Sequence, residues 1–565
     1  MLQLTGAHAL AESLLRAGTR RIYGIVGTTL VGFLNGLYDY KDRLHYVSCR
    51  HEMVAGGMAD AEARVTGRPG VFVVHGGPGA LNAALALAVA QRDCSPVVCI
   101  VGGVPREIEG FRGMSQLDQG KAHAATTKAV LRADSVAGIP ARLAEAFRTA
   151  ASGCPGPVVL EVPQDLWDMK EEVGLDGLRF ERDPPPAPSD GEVDAILGDL
   201  GKAERPLLLA GGGVISSGGW DELKRFAEAW NLPVATTGNG RGALPEDHPL
   251  CLGKAGYAGG TYAADYALEH ADYVLCVGCG VSDMTTYHVS SPVPGRVAMV
   301  NLDPDYMARQ KSGLSSPVVR TVAADARLFL QKAAARHAGP GSRDAWRAAL
   351  DTQKRKWERS LDAFTARPKG ALAGKVMVAL RKVLPRDAIV VGGAGLHLIY
   401  AMDYLPARAP RSFLYSNNYG AMGFGLAAAM GAKMARPERE VVAVLGDGEL
   451  MMMGLGDLET AVRHSLKIRA FVVNDNSYRV LRATQSIQYR GRFFGTEHKN
   501  PDFVKLAEAF GATGVRIDSP EKIEPGLEKA LGAPGPALVE IPTDVNDLPP
   551  TNIEAVLRMR QKGRA

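Results

Sequence analysis

The run Val444-Leu445-Gly446-Asp447-Gly448-Glu449 and, 22 residues on, Phe471-Val472-Val473-Asn474-Asp475-Asn476-Ser477 decide the fold. The first run ends a strand and turns on two glycines with a carboxylate between them. Some 16 residues with helical spacing follow, with Leu455, Leu458, Ala461 and Val462 on one face, and a second strand then ends in an Asn cluster. Strands joined in this way lie parallel and place their C-terminal ends at one sheet edge, where α/β folds bind ligands. Asp447 and Asn474, 27 positions apart, are expected to meet at that edge. A carboxylate, an amide oxygen and a backbone carbonyl are hard donors that suit Mg²⁺ or Ca²⁺. Gly446 and Gly448 leave backbone N–H groups free to face a phosphate at the helix N-terminus. Gly-Asp-Gly by itself marks an ordinary turn; joined to the Asn cluster it reads as a metal–diphosphate site.

Outward from there, short Val- and Ile-rich runs alternate with helical patterns along the whole chain. Such runs suit strands buried on both faces. Residues 21–26, 45–48 and 71–74 form one set, 206–210, 233–236, 273–276 and 297–300 a second, and 388–391, 441–444, 468–473 and 537–541 a third. Arg182-Asp183-Pro184-Pro185-Pro186-Ala187-Pro188-Ser189 is a stiff connector, and Ala338-Gly339-Pro340-Gly341-Ser342 a second break. The 565 residues suit three to four domains at about 150 residues each. The expected fold class is α/β, with three doubly wound parallel-sheet domains at 1–183, 190–338 and 365–546 and a tail at 547–565.

Lys+Arg of 65 against Asp+Glu of 61 leaves a formal charge of only +4, spread evenly, so no nucleic-acid footprint stands out. The longest apolar run, Ala83 to Ala90, is far short of the roughly 18 residues of a membrane span. No membrane or nucleic-acid partner is expected. Seven scattered cysteines point to a reducing cytoplasm, and Cys276 and Cys279, despite their CxxC spacing, read as buried small side chains.

The Gly-Asp-Gly run with its Asn cluster resembles the cofactor motif of thiamine-diphosphate-dependent enzymes. Further stretches extend the likeness in order: Arg50-His51-Glu52, the turn His75-Gly76-Gly77-Pro78-Gly79, Ala210-Gly211-Gly212-Gly213-Val214, Asn301-Leu302-Asp303-Pro304, and Gly420-Ala421-Met422-Gly423-Phe424-Gly425. The wording is most similar to acetohydroxyacid (acetolactate) synthases, with some likeness to benzoylformate decarboxylase. The three domains then correspond to the family's pyrimidine-binding, central Rossmann-like and diphosphate-binding domains. The resemblance implies thiamine diphosphate and Mg²⁺ as cofactors, with Asp447 and Asn474 as side-chain ligands and Asn476 giving its backbone oxygen. Val473 stands where the family usually has a first Asn; a register off by two would make Asn476 the side-chain ligand. Gly420 and Met422 would contact the cofactor, Met422 as an apolar prop beneath it. His397 aligns with a family residue beside the diphosphate, although a lone His there would equally serve as a helix cap.

The family ionises the cofactor's C2 carbon through a carboxylate that hydrogen-bonds the aminopyrimidine ring. Glu52 fits that role, and would also suit the first turn of a helix. Because Glu52 and the Mg²⁺ loop act on one cofactor from different chains in the family, a homodimer or homotetramer with interfacial active sites is implied. The implied chemistry is addition of the cofactor ylide to a small 2-oxo acid, loss of CO₂, and transfer of the carbanion to a proton or a second carbonyl. Gln116 and Lys128 fall where synthases line the second-substrate region. His75, 23 residues after Glu52, instead matches a catalytic His of benzoylformate decarboxylase; His288 loosely matches that enzyme's second His, and Tyr489 stands where synthases place a substrate-selecting Trp. An acetolactate-synthase-like carboligase, a decarboxylase releasing an aldehyde, and a degenerate nucleotide-binding or regulatory homologue are the competing readings. Retention of Glu52, Asp447 and Asn474 speaks against the last. FAD, which Gly211-Gly212-Gly213 could approach, is possible but not expected.

Overall fold

The computed structural model describes residues 1–256, 260–286, 295–313, 317–336 and 343–550. His288 and residues 551–565 of the tail therefore lie outside the described residues. Two compact units are formed, one from residues 1–184, 418–438 and 452–468, the other from 185–417, 439–451 and 469–565. Three six-stranded parallel sheets carry them, as the alternating pattern predicts.

The first sheet runs His45–Ser48, Arg21–Gly24, Gly70–His75, Val97–Gly103, Pro157–Pro163, Ala129–Arg132. The chain winds outward in opposite directions from the gap between Arg21–Gly24 and Gly70–His75, so the switch point of the sheet lies there. Val71, Val73, Val98, Ile100, Val158 and Leu160 face one core with the helices Gly6–Arg16 and Ile139–Ala151. On the other face lies the helix Glu52–Thr66, against which Phe424–Ala435 packs closely. A Cβ at Gly57 would sit 2.8 Å from the Ala427 methyl, and one at Gly431 2.3 Å from the Met58 carbonyl oxygen. Only glycine allows that crossing.

In the second unit one sheet runs Cys251–Lys254, Val234–Thr236, Pro206–Ala210, Tyr273–Val277, Arg296–Asn301, Val318–Ala323. Its switch point falls between Pro206–Ala210 and Tyr273–Val277, where Gly211-Gly212-Gly213 begins the next helix. Gly211 N donates to Val277 O at 3.0 Å and Gly213 N to Gly278 O at 2.7 Å. A Cβ at Gly213 would lie 2.6 Å from Gly278 Cα, so the chain's own crossing already requires glycine here. Cys276 and Cys279 are both buried, in keeping with their reading as small core side chains.

The last sheet runs Phe413–Leu414, Ile389–Gly392, Val441–Gly446, Ile468–Asn474, Ala537–Pro542, Thr513–Arg516, with its switch point between Ile389–Gly392 and Val441–Gly446. The single helix expected after Asp447 is broken in two, Asp447–Met452 and Leu458–Arg463. Gly454, at φ +97°, takes a left-handed conformation that ends the first piece.

Candidate active site

The residues picked out in the sequence fall into two groups, one in each unit. In the first, four neighbouring strands each deliver one side chain at their C-terminal edge. Glu52 opens the helix after His45–Ser48 and Thr29 follows Arg21–Gly24; His75 ends Gly70–His75, and Ser115 lies in the loop beyond Val97–Gly103. The helix at Glu52 starts there because the extended His51 caps it, its Nδ1 accepting from Met53 N at 3.1 Å. Glu52 is only 9% exposed. Its Oε2 accepts from Asn82 Nδ2 at 3.0 Å, while Oε1 has no hydrogen-bond partner among the described residues. The turn below explains its own residues: Gly77 sits at φ +64°, Pro78 opens the Pro78–Arg92 helix, and Gly79 would bring any Cβ within 3.1 Å of Glu52 Oε1.

His75 is half-buried, and burial lowers the pKa of its imidazole despite the opposing pull of Glu52. Its Nδ1 lies 2.8 Å from Thr29 Oγ1 and 3.4 Å from Thr29 N, and its Nε2 3.3 Å from Ser115 Oγ. Gln116, next along the loop, is exposed and turned back on Gly113, whose N–H donates to its Oε1 at 3.2 Å. Lys128 is elsewhere: it precedes the strand Ala129–Arg132 at the opposite edge, and its Nζ donates to the Thr149 and Ser152 carbonyls. Gly420, at φ +66°, has open space where a Cβ would be, and Met422 is half-buried in the next turn.

The second group lies at the switch point of the last sheet. Asp447 Oδ1 accepts from Gly448 N at 2.8 Å; its Oδ2 accepts from Asn476 N and from Asn500 Nδ2, both at 2.7 Å, and from His498 Nε2 at 3.1 Å. Asn474 Oδ1 also accepts from Asn500 Nδ2, at 2.9 Å, while its Nδ2 donates to Glu540. One amide nitrogen thus sits where the oxygens of Asp447 and Asn474 converge. The side-chain oxygen of Asn476 is turned away, accepting from Asn500 N, and φ +56° at Asn476 makes this sharp turn. His397, one residue inside the helix Leu396–Tyr404, is buried against Gly446 and meets buried Glu449 at 3.1 Å. A Cβ at Gly446 would lie 2.5 Å from His397 Nδ1.

Family models match in three pieces: "Thiamine pyrophosphate enzyme, N-terminal TPP binding domain" over residues 4–123, the central domain over 193–333, and the C-terminal TPP binding domain over 393–541. Acetolactate synthase isozyme 3 large subunit of Escherichia coli is 31% identical over 94% of this chain and 93% of its own length. Acetolactate synthase of Mycobacterium bovis is 34% identical over 94% and 86%. A probable acetolactate synthase large subunit of Methanocaldococcus jannaschii is 31% identical over 99% and 96%. The chain belongs to the thiamine pyrophosphate enzymes. Within them it is of the acetolactate synthase type.

Two observations test the fit of a thiamine pyrophosphate enzyme's cofactor. A nine-tenths-buried carboxylate with one partnerless oxygen suits a ring N–H donor, and hard oxygens converging on one point suit a cation such as Mg²⁺. Among the described residues no cluster of three or more His, Cys, Asp or Glu could hold a metal, so a cation beside the Asp447 carboxylate would take its other protein ligands from amide and carbonyl oxygens. Thr29, Ser115, Asn82, Glu449 and Asn500 complete these two groups without having been singled out in the sequence. Asn500 precedes a proline and reads only as a turn residue, and nothing in spacing ties Thr29 or Ser115 to His75.

Proposed function

We propose that this thiamine pyrophosphate enzyme is a carboligase that takes a small 2-oxo acid, releases CO₂ and joins the remaining acyl unit to a second carbonyl compound, as its acetolactate synthase relatives are named for doing. The partnerless Oε1 of the otherwise buried Glu52 carries the reading. When bound, thiamine diphosphate supplies the carbon acid and the electron sink for this chemistry. Glu52 orients the aminopyrimidine and holds the proton at its ring nitrogen. Asp447 and Asn474, with the Asn476 carbonyl, hold Mg²⁺; Gly446, Gly448 and His397 face the diphosphate, and Gly420 and Met422 support the rings. Gln116 lies on the loop that reaches the acceptor. The domain limits 1–183, 190–338 and 365–546 and a homodimer or homotetramer belong to the same reading. No described helix is long and apolar enough to cross a membrane, and a cytoplasmic enzyme is part of the proposal.

A second reading, aldehyde release, draws support from His75, whose imidazole stands beside Glu52 at the same sheet edge. Incubation with thiamine diphosphate, Mg²⁺ and pyruvate separates the two. Acetolactate is the expected product. Acetaldehyde with CO₂ and no acetolactate would overturn the carboligase reading in favour of the second, and neither product would exclude pyruvate as the 2-oxo acid.

A further inference from the structure

The imidazole of His75 has a fixed set of neighbours. Thr29 is 3% exposed and held on two sides: its Oγ1 accepts from Gly76 N at 3.3 Å, and its carbonyl accepts from buried Trp167 Nε1 at 2.8 Å. Gly76 N–H is shared with Gly102 O at 3.0 Å, and the hydroxyl itself lies 2.8 Å from His75 Nδ1. Thr29 N–H, a donor only, faces the same nitrogen at 3.4 Å. A donor-only N–H facing Nδ1 requires its lone pair, so the hydroxyl donates there as well and the single proton of a neutral imidazole sits on Nε2. That Nε2–H faces Ser115 Oγ at 3.3 Å, a long bond that a better acceptor can displace.

We propose that Thr29 is a positioning residue that locks His75 as the neutral Nε2–H tautomer, making it a hydrogen-bond donor to an oxygen of the 2-oxo acid rather than a proton-transferring acid. A neutral imidazole that cannot take a proton on Nδ1 would have to become an anion to give one up, whereas donating a hydrogen bond costs it nothing. Burial independently lowers the pKa of this imidazole, with Glu52 the charged group acting against it. The inference rests on His75 lying in the active site proposed above, but its test does not.

¹⁵N spectra of histidine-labelled, cofactor-free protein, with His75 identified by its loss in His75→Gln, are expected to show Nδ1 unprotonated and Nε2 protonated at neutral pH. Thr29→Val removes a donor to the neutral ring, which favours the imidazolium. The midpoint of His75 should therefore rise by about half to one pH unit, and Thr29→Ser should restore it. A proton on Nδ1 in the wild-type protein, or a midpoint and ¹⁵N shifts unmoved by Thr29→Val, would overturn the assignment. Should the Val variant not fold, the wild-type spectrum decides. Failure of pyruvate turnover would touch only the proposed function.

A separate observation carries a second inference. Cys94, exposed just beyond the Pro78–Arg92 helix, lies with its Sγ 3.0 Å from that of Cys154, on the turn before Pro157–Pro163. The Lys128 ammonium secures that turn through the Thr149 and Ser152 carbonyls. We infer that these two thiols are a site of reversible disulfide formation with a low-molecular-weight disulfide as oxidant. The thiolate of one cysteine attacks one sulfur, breaking the small disulfide and releasing one thiol; the thiolate of the other then attacks the sulfur of the first and releases the second. The two protons given up by the cysteines end on the two released thiols, and the oxidant takes the electron pair. After equilibration of the native protein with glutathione disulfide and then denaturation, the titratable thiols should fall by two from seven, and a non-reducing peptide map should join Cys94 to Cys154. Retention of all seven, or a Cys94 that carries only a glutathionyl group, would refute it.

Discussion

Glu52→Gln is expected to abolish turnover while leaving the fold intact. The substitution keeps the shape, and the Gln oxygen can still accept from Asn82, whose amide now donates to Glu52 Oε2 at 3.0 Å. What is lost is the negative charge at the partnerless oxygen, the only feature there that can hold a proton on a ring nitrogen. Positioned acid–base groups contribute about 10²–10⁴-fold to rate, and loss of that order is expected both in product formation and in hydrogen–deuterium exchange at C2 of bound thiamine diphosphate. The exchange measurement isolates proton removal from all later steps. Thermal stability should stay level, since Gln fills the same space and keeps the bond to Asn82. Undiminished C2 exchange in a folded variant would remove Glu52 from its role.

How much of this was legible in the chain depends on the length scale of the interaction concerned. Strands buried on both faces advertise themselves as short apolar runs, so Val71–Val74, Leu207–Ala210 and Val441–Val444 could be placed from composition, and parallel winding followed from their alternation with helices. Parallel winding also brought Asp447 and Asn474 together, because Asp447 directly follows one strand and Asn474 ends the next at the same sheet edge. Side chains that arrive from loops carry no such register. Ser115 reaches His75 from a loop at φ +65°, while its neighbour Gln116, singled out in its place, folds back on Gly113. Lys128 was legible as a lysine and not as a helix terminator; its place before the strand, at the edge away from Glu52, follows only once the strand Ala129–Arg132 is known. The break at Gly454 marks the limit of periodicity, since the apolar spacing of Leu455, Leu458 and Ala461 survives an interruption that the glycine's left-handed conformation imposes.

Asp447→Ala is expected to uncouple cofactor retention from Mg²⁺. Asp447 is the sole carboxylate among the oxygens that converge on Asn500 Nδ2, and it is 3% exposed. The amide oxygen of Asn474 and a backbone carbonyl are neutral, so without Asp447 the cation loses its only anionic protein ligand. Even groups that merely orient metal ligands change affinity about 10–100-fold, so Mg²⁺-dependent thiamine diphosphate binding, followed by fluorescence titration, should weaken by at least about 100-fold. Asn500→Ala provides the internal control. Its amide now fills the point of convergence by donating to both oxygens, which a cation would do in its stead, so its removal should leave Mg²⁺ dependence in place and lower thermal stability without added metal. The two variants thus separate a ligand from a placeholder. Equal losses in both would mean that the oxygens of Asp447 and Asn474 are arranged for the amide rather than for a cation, and unaltered Mg²⁺ dependence in Asp447→Ala would end the metal assignment.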